Sequence, residues 1–202
     1  MRQAIFSRLR LIAAIVALAG WVGWATTGDA QTVTGQARAV QATVLGSLLG
    51  SQTVLSDTGA LTGGDDARQA SQVTGAVLSV LTAEALHATT IGWPDEAASE
   101  ASLAGLAVTV AGNGITAGFV MARAAAILGG AGAGDTDIDA LSINGAPITV
   151  TGQPNQTIHL LGGRVVINEQ QPLFPSGMIV NALHIVIDGV ADVVIASAKA
   201  GI

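Results

Sequence analysis

Three groupings of polar side chains in this sequence are candidates for chemistry. Asp135, Asp137 and Asp139 form an Asp-x-Asp-x-Asp run behind a glycine-rich stretch. Carboxylates at alternate positions converge on a hard cation such as Ca²⁺ when the backbone curls around it. Here Ala140 stands where the sharp-turn glycine of a calcium loop belongs, and Ala146 where its closing glutamate belongs. The run therefore reads as a solvated acidic loop before a strand, with a Ca²⁺ site as the alternative. His87, His159 and His184 are the only imidazoles. With Glu84 or Glu169 they offer zinc ligands, but no close His–His spacing supports a zinc site.

The third grouping is of amides. Pro154-Asn155-Gln156-Thr157 and Asn168-Glu169-Gln170 flank Gly162-Gly163 at equal distances. A two-residue turn there makes Asn155 and Gln170, each seven residues away, cross-strand neighbours. Amides so placed close the end of a sheet through side chain to backbone hydrogen bonds. A binding role is the alternative.

Several function classes are disfavoured. Ser, His and Asp are present, but no Gly-x-Ser-x-Gly elbow accompanies them. No glycine-rich loop leads into Lys-Ser or Lys-Thr, so there is no phosphate loop. With no Cys, the chain has neither disulfides nor thiol chemistry. Beyond residue 30 there are five basic and thirteen acidic side chains, a net charge of −8. Such a chain repels phosphate backbones, which disfavours nucleic acid as a partner. The same region has only Trp93, Phe119 and Phe174 as aromatics. Sugar- and protein-binding surfaces lean on aromatic side chains, so a lectin or glycosidase is disfavoured as well.

The elements that must position these groups are strands. Arg2, Arg8 and Arg10 precede the apolar run Leu11 to Val22, and Gly28-Asp29-Ala30 offers small residues before Gln31. That is the layout of a signal peptide over residues 1–30, with the membrane involved only through this segment before cleavage. An uncleaved anchor is the alternative, although the run is shorter than the ~20 residues of a spanning helix. Residues 31–202 then form a single extracellular domain. A strand is expected from about Val33 to Val44, and the Gly/Asp/Ser/Thr-rich stretch 51–69 reads as the longest loop. Residues 70–91 read as strand, with a short helix around Ala83–Leu86 as the alternative. Gly92-Trp93-Pro94-Asp95 breaks the chain. Hairpin turns are expected at Asn113-Gly114, Asn144-Gly145, Gly162-Gly163 and Asp188-Gly189, since each pair tolerates positive φ. The run 129–134 (GGAGAG) reads as a flexible break, either a long loop or a linker between two lobes.

From Leu141 onward the blocks Ile-Asn144-Gly145, Pro154-Asn155-Gln156-Thr157, Asn168-Glu169-Gln170 and Asn181-Ala-Leu-His184 together resemble the bacterial choice-of-anchor P proteins. The stretch 98–124 fits the same pattern. The resemblance implies an exported β-sandwich domain and supplies no catalytic residues. The chain shows no C-terminal sorting motif after its last strand, so free secretion or non-covalent surface association is expected over covalent anchoring.

The fold expected is all-β: an antiparallel β-sandwich or jelly-roll-like domain after an N-terminal signal helix. The function expected is an exported, non-enzymatic structural or adhesive protein, extracellular, at the cell surface, or periplasmic if retained. Its expected partners are an unknown surface or matrix component and, through self-association as a homo-oligomer, copies of itself. A secreted ligand- or calcium-binding module is the alternative, and a hydrolase assembled from distant residues is the weakest reading.

Overall fold

The computed structural model describes residues 32–45, 51–77 and 79–202. The expected signal peptide lies outside these residues. Residues 32–202 form one compact unit.

Strands β1 (Thr34–Val44) and β2 (Ser51–Asp57) pair with each other. Strands β3 (Asp66–Val77), β4 (Leu81–Gly92), β5 (Glu96–Val110) and β6 (Asn113–Ile127) follow as a meander. Strand β7 (Ala133–Asp139) doubles back on β6, and β8 (Ser142–Ile143) and β9 (Ala146–Pro147) make a short hairpin. A second meander closes the chain: β10 (Gln156–Leu160), β11 (Gly163–Pro172), β12 (Gly177–Ile187) and β13 (Ala191–Gly201). One sheet has six strands in the order β10-β11-β12-β13-β1-β2. The other has seven, in the order β3-β4-β5-β6-β8-β9 with β7 also on β6. All pairings are antiparallel. The two sheets pack as a sandwich, and no helix occurs among the described residues.

The interior is lined by small and branched side chains. Ala37, Ala42, Ala88, Ala101, Ala122 and Ala198 are buried in one core cluster with Val120, Leu103, Leu183, Ile185 and Ile195. Small residues let the sheets approach closely, and at β7 the approach admits no side chain. A Cβ on Gly134 would collide with Val180, and one on Gly132 with the backbone of Gly177. Few polar groups cross the interior. The buried hydroxyls of Thr90 and Ser99 bond at 2.7 Å, and Ser99 Oγ donates to the Lys199 carbonyl at 2.6 Å.

A transverse break crosses each sheet. In the six-stranded sheet Asn168, Ala182, Ala196, Ala39 and Ser56 lie in one row. The register skips this row between Ile167–Leu183 and Glu169–Asn181, and again in the three pairs that follow. Alternate members of the row have left-handed backbone: Asn168 at φ 52°, Ala196 at 51°, Ser56 at 48°. No residue is gained or lost, so pairing resumes in register, but the alternation of faces is reset. Ala39 and Val40, Ala182 and Leu183, and Ile195 and Ala196 are successive residues that both point inward. The seven-stranded sheet repeats the device with Ala85 at 47°, Gly105 at 57° and Ala140 at 53°. Ala85 and Gly105 occupy skipped positions in β3–β4 and β5–β6, while between β4 and β5 the register shifts at Glu84 and is restored by His87.

Several expectations from sequence need correction. The stretch 51–69 is not one long loop, because β2 and the start of β3 occupy most of it. Residues 70–91 are not one strand. They hold most of two, hinged where Val77 pairs with Leu81. The GGAGAG run ends inside β7, so it is no linker. Asn144-Gly145 is a two-residue turn with both φ positive. The other three turns are displaced. Val110 pairs with Asn113, putting the turn on Ala111-Gly112. Leu160 pairs with Gly163, putting it on Leu161-Gly162. Ile187 pairs with Ala191, so Asp188-Gly189 belongs to a three-residue loop. In the first case tertiary contact decides: Asn113 is buried and its amide donates to the Leu161 carbonyl at 3.2 Å, joining two neighbouring turns.

Ala85 offers a test of the break, because it is exposed as well as left-handed. Removing its Cβ relieves roughly 1–2 kcal/mol of left-handed strain, and glycine's extra chain entropy offsets ~0.5–1 of it. Ala85→Gly is therefore expected to leave the melting temperature unchanged or raise it. Ala85→Val, β-branched at positive φ, is expected to lower it clearly. If both variants melt alike, the left-handed assignment at this position is wrong.

Candidate functional site

The polar groups with the most developed geometry sit on the outer face of the six-stranded sheet. Glu169 on β11 and Asn181 on β12 are cross-strand partners immediately past the break. His184 on β12 is the first outward residue on the other side of it, because Ala182 and Leu183 both turn inward. His184 thus reaches back across the break to Glu169 and forward to Asp192 on β13. Its Nδ1 lies 3.0 Å from both Glu169 carboxylate oxygens, and its Nε2 lies 3.0 Å from Asp192 Oδ1. Asn181 Nδ2 donates to Glu169 Oε2 at 2.6 Å. The His184 side chain is 20% exposed, Glu169 29% and Asp192 53%. On β1 the same break is spanned by Arg38, whose Nη1 donates to Gln41 Oε1 at 2.8 Å while its Nε meets Asp57 of β2 at 3.1 Å.

Both ring nitrogens of His184 face carboxylates, an arrangement in which both donate only when the ring is protonated. The hydrogen bond to Glu169 raises the His184 pKa, against partial burial and helped by the charges of Glu169 and Asp192. The same bond, assisted by Asn181, lowers the Glu169 pKa against its own partial burial. With a carboxylate at each ring nitrogen, His184 ties β11, β12 and β13 together across the break, and the tie responds to pH.

The remaining predicted residues have structural partners. Asn144 Oδ1 accepts from the Gly114 amide at 2.8 Å, and the Asn144 amide donates to the Gly114 carbonyl at 2.7 Å, so the Asn144-Gly145 turn is tied to β6. With the β10–β11 turn displaced, Asn155 lies opposite Asn168 rather than Gln170, and its amide donates to the Asn168 carbonyl at 2.8 Å. The Asn155 side chain still reaches Gln170, accepting from its backbone amide at 3.1 Å. Asn168 Nδ2 donates to the Gly152 carbonyl at 3.0 Å. Gln170 Nε2 donates to Asn168 Oδ1 at 2.9 Å and to the Gly134 carbonyl at 3.0 Å, linking the two sheets. Gln156 Oε1 accepts from the amide and hydroxyl of Thr151, and Thr157 Oγ1 donates to the Asn155 carbonyl at 3.2 Å.

Asp135, Asp137 and Asp139 lie within β7, not in a loop, all exposed on one face. An extended strand spaces alternate residues roughly 6.5–7 Å apart, whereas Ca²⁺ gathers its oxygens about one point at ~2.3–2.6 Å. Asp135 lies 3.7 Å from Arg123, which also bonds Glu100 at 2.8 Å. Among the described residues no group of three acidic or histidine side chains is placed to hold a metal. His87 and His159 lie on other strands and join neither each other nor His184. Sequence reasoning singled out Glu169, Asn181 and His184 but missed Asp192. No family model matches this chain, and neither curated proteins nor solved structures yield a match.

The clamp predicts a stability profile. His184, with its folded pKa raised, stabilises the fold fully below about pH 6.5, and this contribution is lost as pH rises through the folded value. Glu169, with its folded pKa lowered, stabilises above its unfolded value near 4.5, and this is lost as pH falls through the folded value. Between about pH 6 and 8.5 the wild-type melting temperature should fall more steeply than that of His184→Gln. Parallel curves for the two proteins would show that the clamp is not formed in solution.

Proposed function

We propose that this chain is an exported, non-enzymatic structural or adhesive protein, at the cell surface or free outside it, that associates with copies of itself. The observation that carries the reading is edge strand β3. It is twelve residues long, ends its sheet, and is largely exposed, with Val73 at 84%. Natural edges are blunted by proline, charged side chains or short length; β3 has no proline and considerable length, and its two charged residues, Asp66 and Arg68, pair with each other at its start. Such an edge pairs with another strand through its free backbone groups. The basic-then-apolar leader supports export. The resemblance to choice-of-anchor P proteins supports an extracellular setting. The occupied ring nitrogens of His184 support a non-catalytic role.

A ligand- or calcium-binding module is the second reading, with the exposed carboxylates of β7 as its candidate residues even though the strand holds them apart. One experiment separates the two. Light scattering of residues 31–202 at rising concentration is expected to show growing mass with or without calcium. Val73→Lys, placing a charge on the exposed edge, is expected to reduce that growth without lowering the melting temperature. A strict monomer at all concentrations would overturn self-association. A melting temperature raised by calcium, and no longer raised in Asp137→Asn, would favour the second reading.

A further inference from the structure

One end of the sandwich gathers four of the large apolar side chains that the interior does not use. Strands β4, β6, β11 and β13 finish there, and β1, β5, β7 and β12 begin there. Phe174 is 98% exposed, Ile127 56%, Leu128 49% and Trp93 40%. Beyond residue 30 the chain has three aromatics, and two of them are held out in solvent at this end. Their loops are fixed. Ser176 Oγ donates to the carbonyls of Ile127 at 3.0 Å and Gly130 at 2.7 Å, tying the Phe174 loop to the β6–β7 connection. The Leu173 amide closes that loop on Gly177 at 3.0 Å, and the Leu128 amide bonds Asp95 beside Trp93 at 2.9 Å.

A groove of about 520 Å³ opens beside this rim on the outer face of the seven-stranded sheet. Ile91, Ala98, Ala125 and Ala133 line it, and the Glu100–Arg123 ion pair flanks it. Small side chains make the groove, so a bulky apolar group has room to enter. Phe174 does not fill the groove of its own chain, since it is almost fully exposed.

We infer that this end is a twofold interface between two copies of the chain, in which Phe174 of each copy seats in the alanine-lined groove of the other. An isologous interface needs both complementary features on one patch of one chain. Knob and groove here meet at the β6–β7 connection, which bears Leu128 and runs from Ile127, the end of β6, to Ala133, the start of β7. Phe174, almost fully exposed, brings most of the roughly 150–250 Å² an aromatic can bury, and Ile127, Leu128, the exposed part of Trp93 and the groove lining add to it towards the ~800 Å² per partner of a stable interface. The inference deepens the self-association reading and uses a surface separate from β3. With β3 edges pairing about a second dyad, the two contacts propagate a chain of molecules rather than a closed dimer.

The test uses residues 31–202, in which Trp93 is the sole tryptophan and reports on this end directly. Mass by light scattering and Trp93 emission are followed together over concentration. Wild type is expected to gain mass as its emission shifts to shorter wavelength. Phe174→Ser and Ala133→Lys, both at exposed positions, are expected to abolish the emission shift and reduce the mass, with the circular dichroism of the fold unchanged. Val73→Lys is expected to leave a dimer that retains the shift. The inference is overturned if Phe174→Ser associates as wild type does, or if wild type stays monomeric. It is also overturned if the emission shifts only on neutral phospholipid vesicles, which would make the rim a lipid contact. Mass lost in Val73→Lys alone would leave edge pairing standing and remove this interface.

Discussion

Everything on the two sheets depends on the break that crosses them. A regular strand alternates its faces without interruption, and strands as long as β5 or β6 would twist progressively along their length. Here each long strand is divided into two segments whose inside and outside positions are out of phase. The left-handed residues at Ser56, Asn168 and Ala196 accomplish this without inserting a residue, so register survives on both sides. Alanine and serine are poor residues for that conformation, and each costs roughly 1–2 kcal/mol. The cost is met where the row is buried and bonded, most visibly at Asn168, whose amide group bonds Gly152 and Gln170.

The polar chemistry of the outer face follows from the same geometry. Two consecutive inward residues leave a gap between outward ones, and long polar side chains span it. Glu169 with His184, and Arg38 with Gln41, do this on different strands. The His184, Glu169 and Asp192 group is laid over this seam and ties its two sides together. With the His184 pKa raised and the Glu169 pKa lowered, this tie contributes most to stability in mildly acidic conditions. On the opposite sheet the comparable polar group, Arg123 with Glu100 and Asp135, flanks a groove instead.

Much of this was legible in the sequence, and the illegible parts share a cause. Val/Ile-rich runs gave the strands of the second meander, and Asn144-Gly145 gave the turn of the β8–β9 hairpin, because both signals are local. The amides at Asn155, Asn168 and Gln170 were recognised as sheet-closing groups, although the register between them was off by two residues. Turn placement failed where a better-looking pair lay nearby: Asn113-Gly114 is the stronger signal, but the Asn113 amide is needed inside, and Ala111 takes the positive φ instead. The break itself left no trace, since nothing about an alanine at 85 or 196 announces left-handed backbone. Asp192 was missed for a related reason: it meets His184 only through the pairing of β12 with β13.

The seam also bears on how the sheet must form. A strand that ran straight between two broken neighbours would keep register with them but present the opposite face beyond the row. On β13 that would push Asp192 and Val194, or Ser197 and Lys199, into the interior. No strand can therefore acquire or lose its break independently. The five strands from β11 to β2 switch phase together or mispair, and a local backbone choice at one alanine becomes a condition on the whole width of the sheet.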